Sequence, residues 1–190
     1  MLTILGVDPG LTRLGVGVIN KGEGRTVSFV HVEVFTTPAT DPVSMRIGSL
    51  QTKLEALLDT YRPDVLALER VFAQHNLKTV MGTAQVSGVV LALAHSRGIT
   101  VSLRTPSEVK AGVTGYGRAE KPQVGSMVKS ILGLPEVPKP ADAADALALA
   151  ISEAWRGNLS AESIEKTDLT PAQKAWRAAE ARISRPKLRE

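Results

Sequence analysis

Apolar positions in this chain come first in short runs with a period of two, and then in stripes with a helical period. Ile4, Leu5 and Val7 lead into Asp8, and residues 2–8 read as a buried strand. Pro9-Gly10 turns the chain. Leu14, Val16 and Val18 then alternate with Gly15 and Gly17, which predicts a second strand over 14–19, and Lys21-Gly22-Glu23-Gly24 is a hairpin-type turn. Val27, Phe29, His31, Glu33 and Phe35 alternate with Ser28, Val30, Val32 and Val34. Neither set is polar throughout, so this third strand, 27–35, is expected to be covered on both faces.

From residue 43 the spacing lengthens. Ile47, Leu50, Leu54, Leu57, Leu58 and Tyr61 recur every three or four residues and predict a helix over 43–61, stopped at Arg62-Pro63. Asp64–Glu69 reads as a fourth strand, 76–97 as a long helix ended by Gly98, and 99–103 as a short fifth strand. Pro106 opens the next helix, and two more follow over 119–132, with Pro122 in the first turn, and 141–155. Three strands with short turns and then alternating helices and strands describe an α/β domain. Its first three strands form an antiparallel meander, and the later ones run parallel to the first through crossover helices. The first and fourth strands can then lie side by side. That brings Asp8 and Glu69 to one sheet edge, where α/β folds bind ligands.

Composition narrows the class. The 190 residues suit one folded domain, and 43% apolar with 22% charged residues is ordinary for a globular protein. The absence of cysteine excludes disulfides, zinc–thiolate sites and thiol nucleophiles. No apolar run is long enough to span a membrane, and Met1-Leu2-Thr3-Ile4 lacks the basic start of a signal peptide, so a cytoplasmic protein without a membrane partner is expected. The net charge of +4 is unevenly spread: from Arg156 onward there are eight basic residues against five acidic, which leaves the preceding body nearly neutral. A nucleic-acid groove on that body would have to be a local basic patch. Residues 1–156 are expected to form the folded domain and 157–190 a charged, flexible tail, amphipathic only around 171–183.

The candidate chemistry lies in four carboxylates. Asp8 and Glu69 each end an apolar strand, and Asp142 and Asp145 stand three apart on a predicted helix, with alanines around them that allow close packing on a sheet. Buried or clustered carboxylates are costly without a counter-charge. Oxygen ligands suit magnesium or manganese, and two such ions can clamp a phosphodiester during in-line attack. Taken alone, the paired aspartates equally fit a helix N-terminus and Asp8 a turn. The set of four favours the metal reading.

Four stretches carry a resemblance. Gly6-Val7-Asp8-Pro9-Gly10, Glu69-Arg70-Val71-Phe72, Ala119-Glu120-Lys121-Pro122-Gln123-Val124 and Ala141-Asp142-Ala143-Ala144-Asp145-Ala146-Leu147 occur in the order and approximate spacing of the RuvC family of Holliday-junction resolvases, which the chain resembles over about residues 2–155. The resemblance implies an RNase H-like fold, a five-stranded mixed sheet flanked by helices. It also implies a homodimer that cuts four-way DNA junctions by paired nicks in recombination and repair, using Mg²⁺ or Mn²⁺, two ions per site, with RuvA and RuvB as partners. The family's four catalytic acids map to Asp8, Glu69, Asp142 and Asp145. Lys121 becomes a phosphate or transition-state contact, Lys110 a DNA contact, and Phe72 a wedge or stacking surface for an unstacked base. Arg70, Lys78, Arg104 and Arg118 could complete a basic lining.

The chain also departs from the family pattern. Gln85-Val86-Ser87-Gly88 stands where Gln-Ala-Arg-Gly is expected, so a basic residue is lost, and Arg70 follows Glu69 where a neutral side chain is common. Small residues on the long helix (Gly82, Ala84, Ser87, Gly88 and Ala92) suit close packing, either in the core, which the sequence favours, or across a two-fold interface, which the resemblance implies. A competing enzyme reading is an actin-like or sugar-kinase ATPase, whose first phosphate loop Asp8-Pro9-Gly10-Leu11-Thr12 resembles, but no second phosphate loop follows. A non-catalytic junction-binding module would have lost an acid, and all four are present. An RNase H-like nuclease acting on another DNA or an RNA–DNA substrate is the remaining alternative.

Overall fold

Five strands form one mixed sheet, in which the third strand along the chain lies at one edge, followed by the second, first, fourth and fifth. The computed structural model describes residues 1–71 and 77–156, the side chains of Leu77 and Lys78 excepted. The strands are β1 Leu2–Asp8, β2 Arg13–Lys21, β3 Val27–Thr36, β4 Val65–Glu69 and β5 Thr100–Arg104. β1 pairs antiparallel with β2 and parallel with β4, and β2 pairs antiparallel with β3. The helices are α1 Val43–Tyr61, α2 Leu77–Ser96, α3 Pro106–Thr114, α4 Lys121–Leu132 and α5 Ala141–Trp155.

Local chemistry explains the helix boundaries. α1 ends at Arg62, which adopts the left-handed conformation (φ 43°) and donates its N–H to the Leu58 carbonyl just before Pro63. At the start of α3, the Thr105 hydroxyl accepts from the Glu108 N–H, the Glu108 carboxylate accepts from the Thr105 N–H, and Pro106 fills the first turn. The Thr105 N–H, together with the Thr105 hydroxyl donating to the same carboxylate oxygen at 2.8 Å, holds the Glu108 carboxyl below its ordinary range. α4 begins at Lys121, two residues later than the sequence predicts, where the Glu120 N–H donates to Gln123 Oε1 at 3.0 Å and Pro122 fills the first turn.

The sheet has a core on each face. Leu5, Val7, Leu14, Val16, Leu66 and Leu68 point toward α1 and α2, where Leu50, Leu54, Val86 and Val90 meet them. The alternate residues, Ile4, Ile19 and Ala67 among them, point toward α3, α4 and α5 and meet Val109, Val128, Leu147, Leu149 and Ile151. Burying each of the last three contributes about 1.5–3 kcal/mol. By the same alternation Gly6 and Asp8 on β1, Gly15 and Gly17 on β2 and Glu69 on β4 share the α5 side.

α5 lies directly on the glycines. A Cβ at Gly6 would overlap the Ala146 carbonyl, one at Gly15 the Asp142 carbonyl, and one at Gly17 the Leu147 backbone and side chain. One expectation fails at the sheet edge: β3 is an outer strand, Phe35 is its only buried residue, and Phe29 is 39% exposed. With no strand beyond it, and its mixed composition notwithstanding, it is covered far less than β1 or β2.

Candidate active site

The acids meet where β1, β4 and α5 converge. The parallel register of β1 on β4 runs from Ile4–Val65 to Val7–Leu68, so Asp8 and Glu69 are the next residues on adjacent strands. The start of β4 is pinned by a reciprocal pair: the Thr3 N–H donates to the Asp64 carboxylate (2.8 Å), and the Asp64 N–H donates to the Thr3 carbonyl (2.9 Å). Asp142 lies in the first turn of α5 and Asp145 one turn on. The seat of α5 on Gly6 and Gly15 fixes how deep that turn sits against the strand ends.

The charge balance shows how closely the four are gathered. Burial, then the negative charges of Glu69, Asp145 and Asp142, push the Asp8 carboxyl up from 3.8 to about 7, against the pull of Lys121. Burial and Asp145 also raise Glu69, while Lys121, a hydrogen bond with Asp8 and the charge of Lys110 oppose the rise. Lys121 Nζ lies 2.7 Å from Asp145 Oδ2, and this bond, ahead of the opposing effect of burial, raises the lysine above its ordinary value. Arg13 Nε forms an ion pair with Asp142 Oδ2 at 3.0 Å.

The donor set is all oxygen, from four carboxylates close enough to perturb one another, and this fits a hard divalent cation. Among the described residues no three acids or histidines stand as a preformed ligand shell. The reason is visible in the pairing: Asp142 and Asp145 are turned onto Arg13 and Lys121.

The family model for the crossover junction endodeoxyribonuclease RuvC matches residues 4–153. The chain belongs to the RuvC family. A relative from Leifsonia xyli, named crossover junction endodeoxyribonuclease RuvC, is 54% identical over 97% of this chain and 94% of its own. The protein of the same name from Saccharopolyspora erythraea is 56% identical over 86% and 82%. Among solved structures, Thermus thermophilus RuvC in complex with a Holliday junction substrate superposes with a TM-score of 0.77 at 35% identity, covering 82% of this chain and 94% of that one. Thermus thermophilus RuvC itself gives 0.75 at 35% identity, covering 81% and 94%. The RNase H-like fold expected from the sequence is thereby shown, and as a RuvC-family member the chain is a divalent-metal-dependent endonuclease.

The basic residues singled out in the sequence divide. Lys110 on α3 faces the cluster closely enough to act on Glu69. Arg70 and Arg118 are exposed near the ends of β4 and α3. Arg104 contradicts its assignment to a basic lining. It is buried, and its Nε donates to Glu153 Oε2 on α5 at 2.8 Å, with side-chain exposures of 7% and 16%. Its charge is spent inside the domain, because the carboxylate at 153 would otherwise be buried alone.

Phe72 and the tail 157–190 lie outside the described residues, as does the side chain of Lys78. The small residues of α2 split: Gly82 and Ser87 are buried, Ala84, Gly88 and Ala92 exposed, so the expectation that they are core fails for three of the five. Ser87, at the departure from the family pattern, keeps a buried hydroxyl with no hydrogen-bond partner among the described residues.

Sequence reasoning missed Arg13 and the glycine floor. Arg13, Gly15 and Gly17 alternate on one strand face, a signal that was present but pointed only to a strand.

Proposed function

We propose that this chain resolves four-way (Holliday) DNA junctions by paired symmetric nicks, through metal-dependent phosphodiester hydrolysis in recombination and repair. The observation that carries the reading is the convergence of Asp8, Glu69, Asp142 and Asp145 at one sheet edge, within the span matched by the RuvC family model. Those four acids hold the divalent cations, Mg²⁺ or Mn²⁺ and two per site. When bound, the cations supply Lewis acidity and neutralise the charge that develops on the attacked phosphate and its leaving oxygen.

The chain's own groups do the rest. Asp8, hemmed in by three other acids, is the carboxylate with most to gain from a nearby positive charge. Lys121, tethered to Asp145 and protonated, stands at the rim to contact the reacting phosphate. Lys110, Arg70 and Arg118 guide the flanking backbone toward the acids, and Phe72 stacks on a base freed at the crossover.

A homodimer places two such sites on one junction. In support, the outer face of α2 exposes Met81 and Leu91 beside Ala84, Gly88 and Ala92, small enough for close helix approach. Residues 1–156 act as the nuclease domain, 157–190 as a charged tail, and RuvA and RuvB as the branch-migration partners in the cytoplasm. Among the described residues no helix is long and apolar enough to cross a membrane.

The test offers the full chain a synthetic four-way junction, a matched duplex and an RNA–DNA hybrid, with and without Mg²⁺ or Mn²⁺. Metal-dependent paired nicks in the junction alone are expected. Asp8→Asn, Glu69→Gln, Asp142→Asn and Asp145→Asn each remove cutting while junction binding persists. Full activity in Asp8→Asn, or equal cutting of duplex, would overturn the reading, and preferred cutting of the hybrid would move the protein to the RNase H-like alternative.

A further inference from the structure

Two kinds of arginine surround this site. Arg46 and Arg104 are buried and held by fixed partners: Arg46 Nε donates to Thr37 Oγ1 at 2.9 Å and its Nη2 to Thr12 Oγ1 at 2.7 Å, and Arg104 is locked to Glu153. Arg13, next in sequence to Thr12, is different. It is 59% exposed, and among the described residues its only side-chain partner is Asp142, itself 21% exposed. The fold does not depend on the pair. Asp142 already has a favourable place in the first turn of α5, and an exposed ion pair adds little stability.

Arg13 nevertheless stands where its charge matters most. It opens β2 on the face that carries Gly15 and Gly17, and Gly15 lies under the Asp142 backbone. The guanidinium therefore reaches over the first turn of α5 from the outer side of the acid cluster. Lys121 approaches a different acid, Asp145, from the first residue of α4.

We propose that Arg13 is an exchangeable counter-charge. It neutralises Asp142 while no divalent cation is bound. Once a cation takes that carboxylate, Arg13 turns outward and binds a DNA phosphate beside the one being cut. The proposal rests on the assignment of Asp142 as a metal ligand. Arg13 and the cation then compete for one carboxylate, and cation uptake and DNA grip become linked through a single side chain.

The competition has a sign that a merely structural role lacks. If Arg13 only held Asp142 in position, removing it would weaken cation binding. If Arg13 competes, removing it strengthens binding. The experiment titrates Mn²⁺ by calorimetry into the full-length wild type, Arg13→Gln and Arg13→Lys, without DNA. Arg13→Gln is expected to bind Mn²⁺ about two- to fivefold more tightly, the scale of a partly exposed ion pair, and Arg13→Lys to stay near wild type. Four-way junction affinity is then read in Ca²⁺, which takes the same oxygen ligands in a looser geometry and leaves all four acids in place, with the junction checked to be uncut on the same gel. There Arg13→Gln is expected to weaken binding by about three- to tenfold and to reduce the salt slope by about one, as for loss of one phosphate contact.

Unchanged or weaker Mn²⁺ binding by Arg13→Gln overturns the proposal, as does an unchanged junction affinity. Failure of the wild type to take up Mn²⁺ would instead overturn the metal assignment itself.

Discussion

Asp8→Asn is expected to make the metal-free protein more stable, even as it removes activity. In the folded chain the Asp8 carboxyl is raised from 3.8 to about 7 by burial and by its acidic neighbours. Its ionised form is thus disfavoured in the native state relative to the unfolded chain, and stability drains away as pH rises from the ordinary value to the raised one. Above about pH 7 the full cost is present, about 4 kcal/mol at 1.36 kcal/mol per tenfold. Asp8 retains some solvent exposure, and water reaching the carboxylate reduces this to about 2 kcal/mol. For a chain of this length that corresponds to about 4–8 °C in Tm. The assay is thermal melting of wild type and Asp8→Asn in chelator, from about pH 4 to pH 8. The variant should melt close to wild type at the acid end, gain on it through the middle of the range and hold its advantage above about pH 7. Saturating Mn²⁺ should reverse the order, because an ion bound only by the native state stabilises the chain that keeps its ligand. Equal melting temperatures in chelator at about pH 8, or an advantage independent of pH, would refute the electrostatic account.

Arg104→Ala is expected to lower stability by about 3 kcal/mol by leaving Glu153 without its partner, while junction affinity hardly changes; melting and gel retardation on one sample distinguish this from a DNA-contact role. Gly15→Ala drives a methyl into the Asp142 carbonyl and is expected to cost about 1–3 kcal/mol together with loss of cutting, read by denaturant unfolding and junction cleavage. Phe72→Ala is expected to slow junction cutting by about ten- to a hundredfold, from a stacking contribution of about 1–3 kcal/mol, with little change in Tm; a large drop in Tm would make it a core residue.

Much of the framework was legible because it is written in local periodicity. The spacing of Ile47, Leu50, Leu54, Leu57 and Leu58 predicts α1 over the residues it occupies, and Pro106 and Gly98 mark a start and a stop that backbone geometry enforces. The juxtaposition of Asp8 and Glu69 was legible one level up, since parallel strands joined by a helical crossover place their C-terminal ends together. What stayed hidden depends on partners distant in sequence. Arg104 looks like a groove residue until Glu153 closes on it from the last described helix, and nothing in the sequence around either announces the other. The role of Arg13 depends likewise on Asp142, at the far end of the domain. The exposure of β3 depends on its place at the sheet margin, which alternation along one strand does not encode.

The contact of α5 with Gly6 and Gly15 bears on how this site responds to heat. Side chains loosen by hopping between rotamers, but at these two positions main chain rests on main chain, with no intervening rotor to soften. Asp142 and Asp145 therefore ride on a support that gives way only when helix and sheet part company. Heating the protein toward its transition should leave cleavage chemistry intact up to the temperature at which the domain itself comes apart, so that inactivation and unfolding follow one curve.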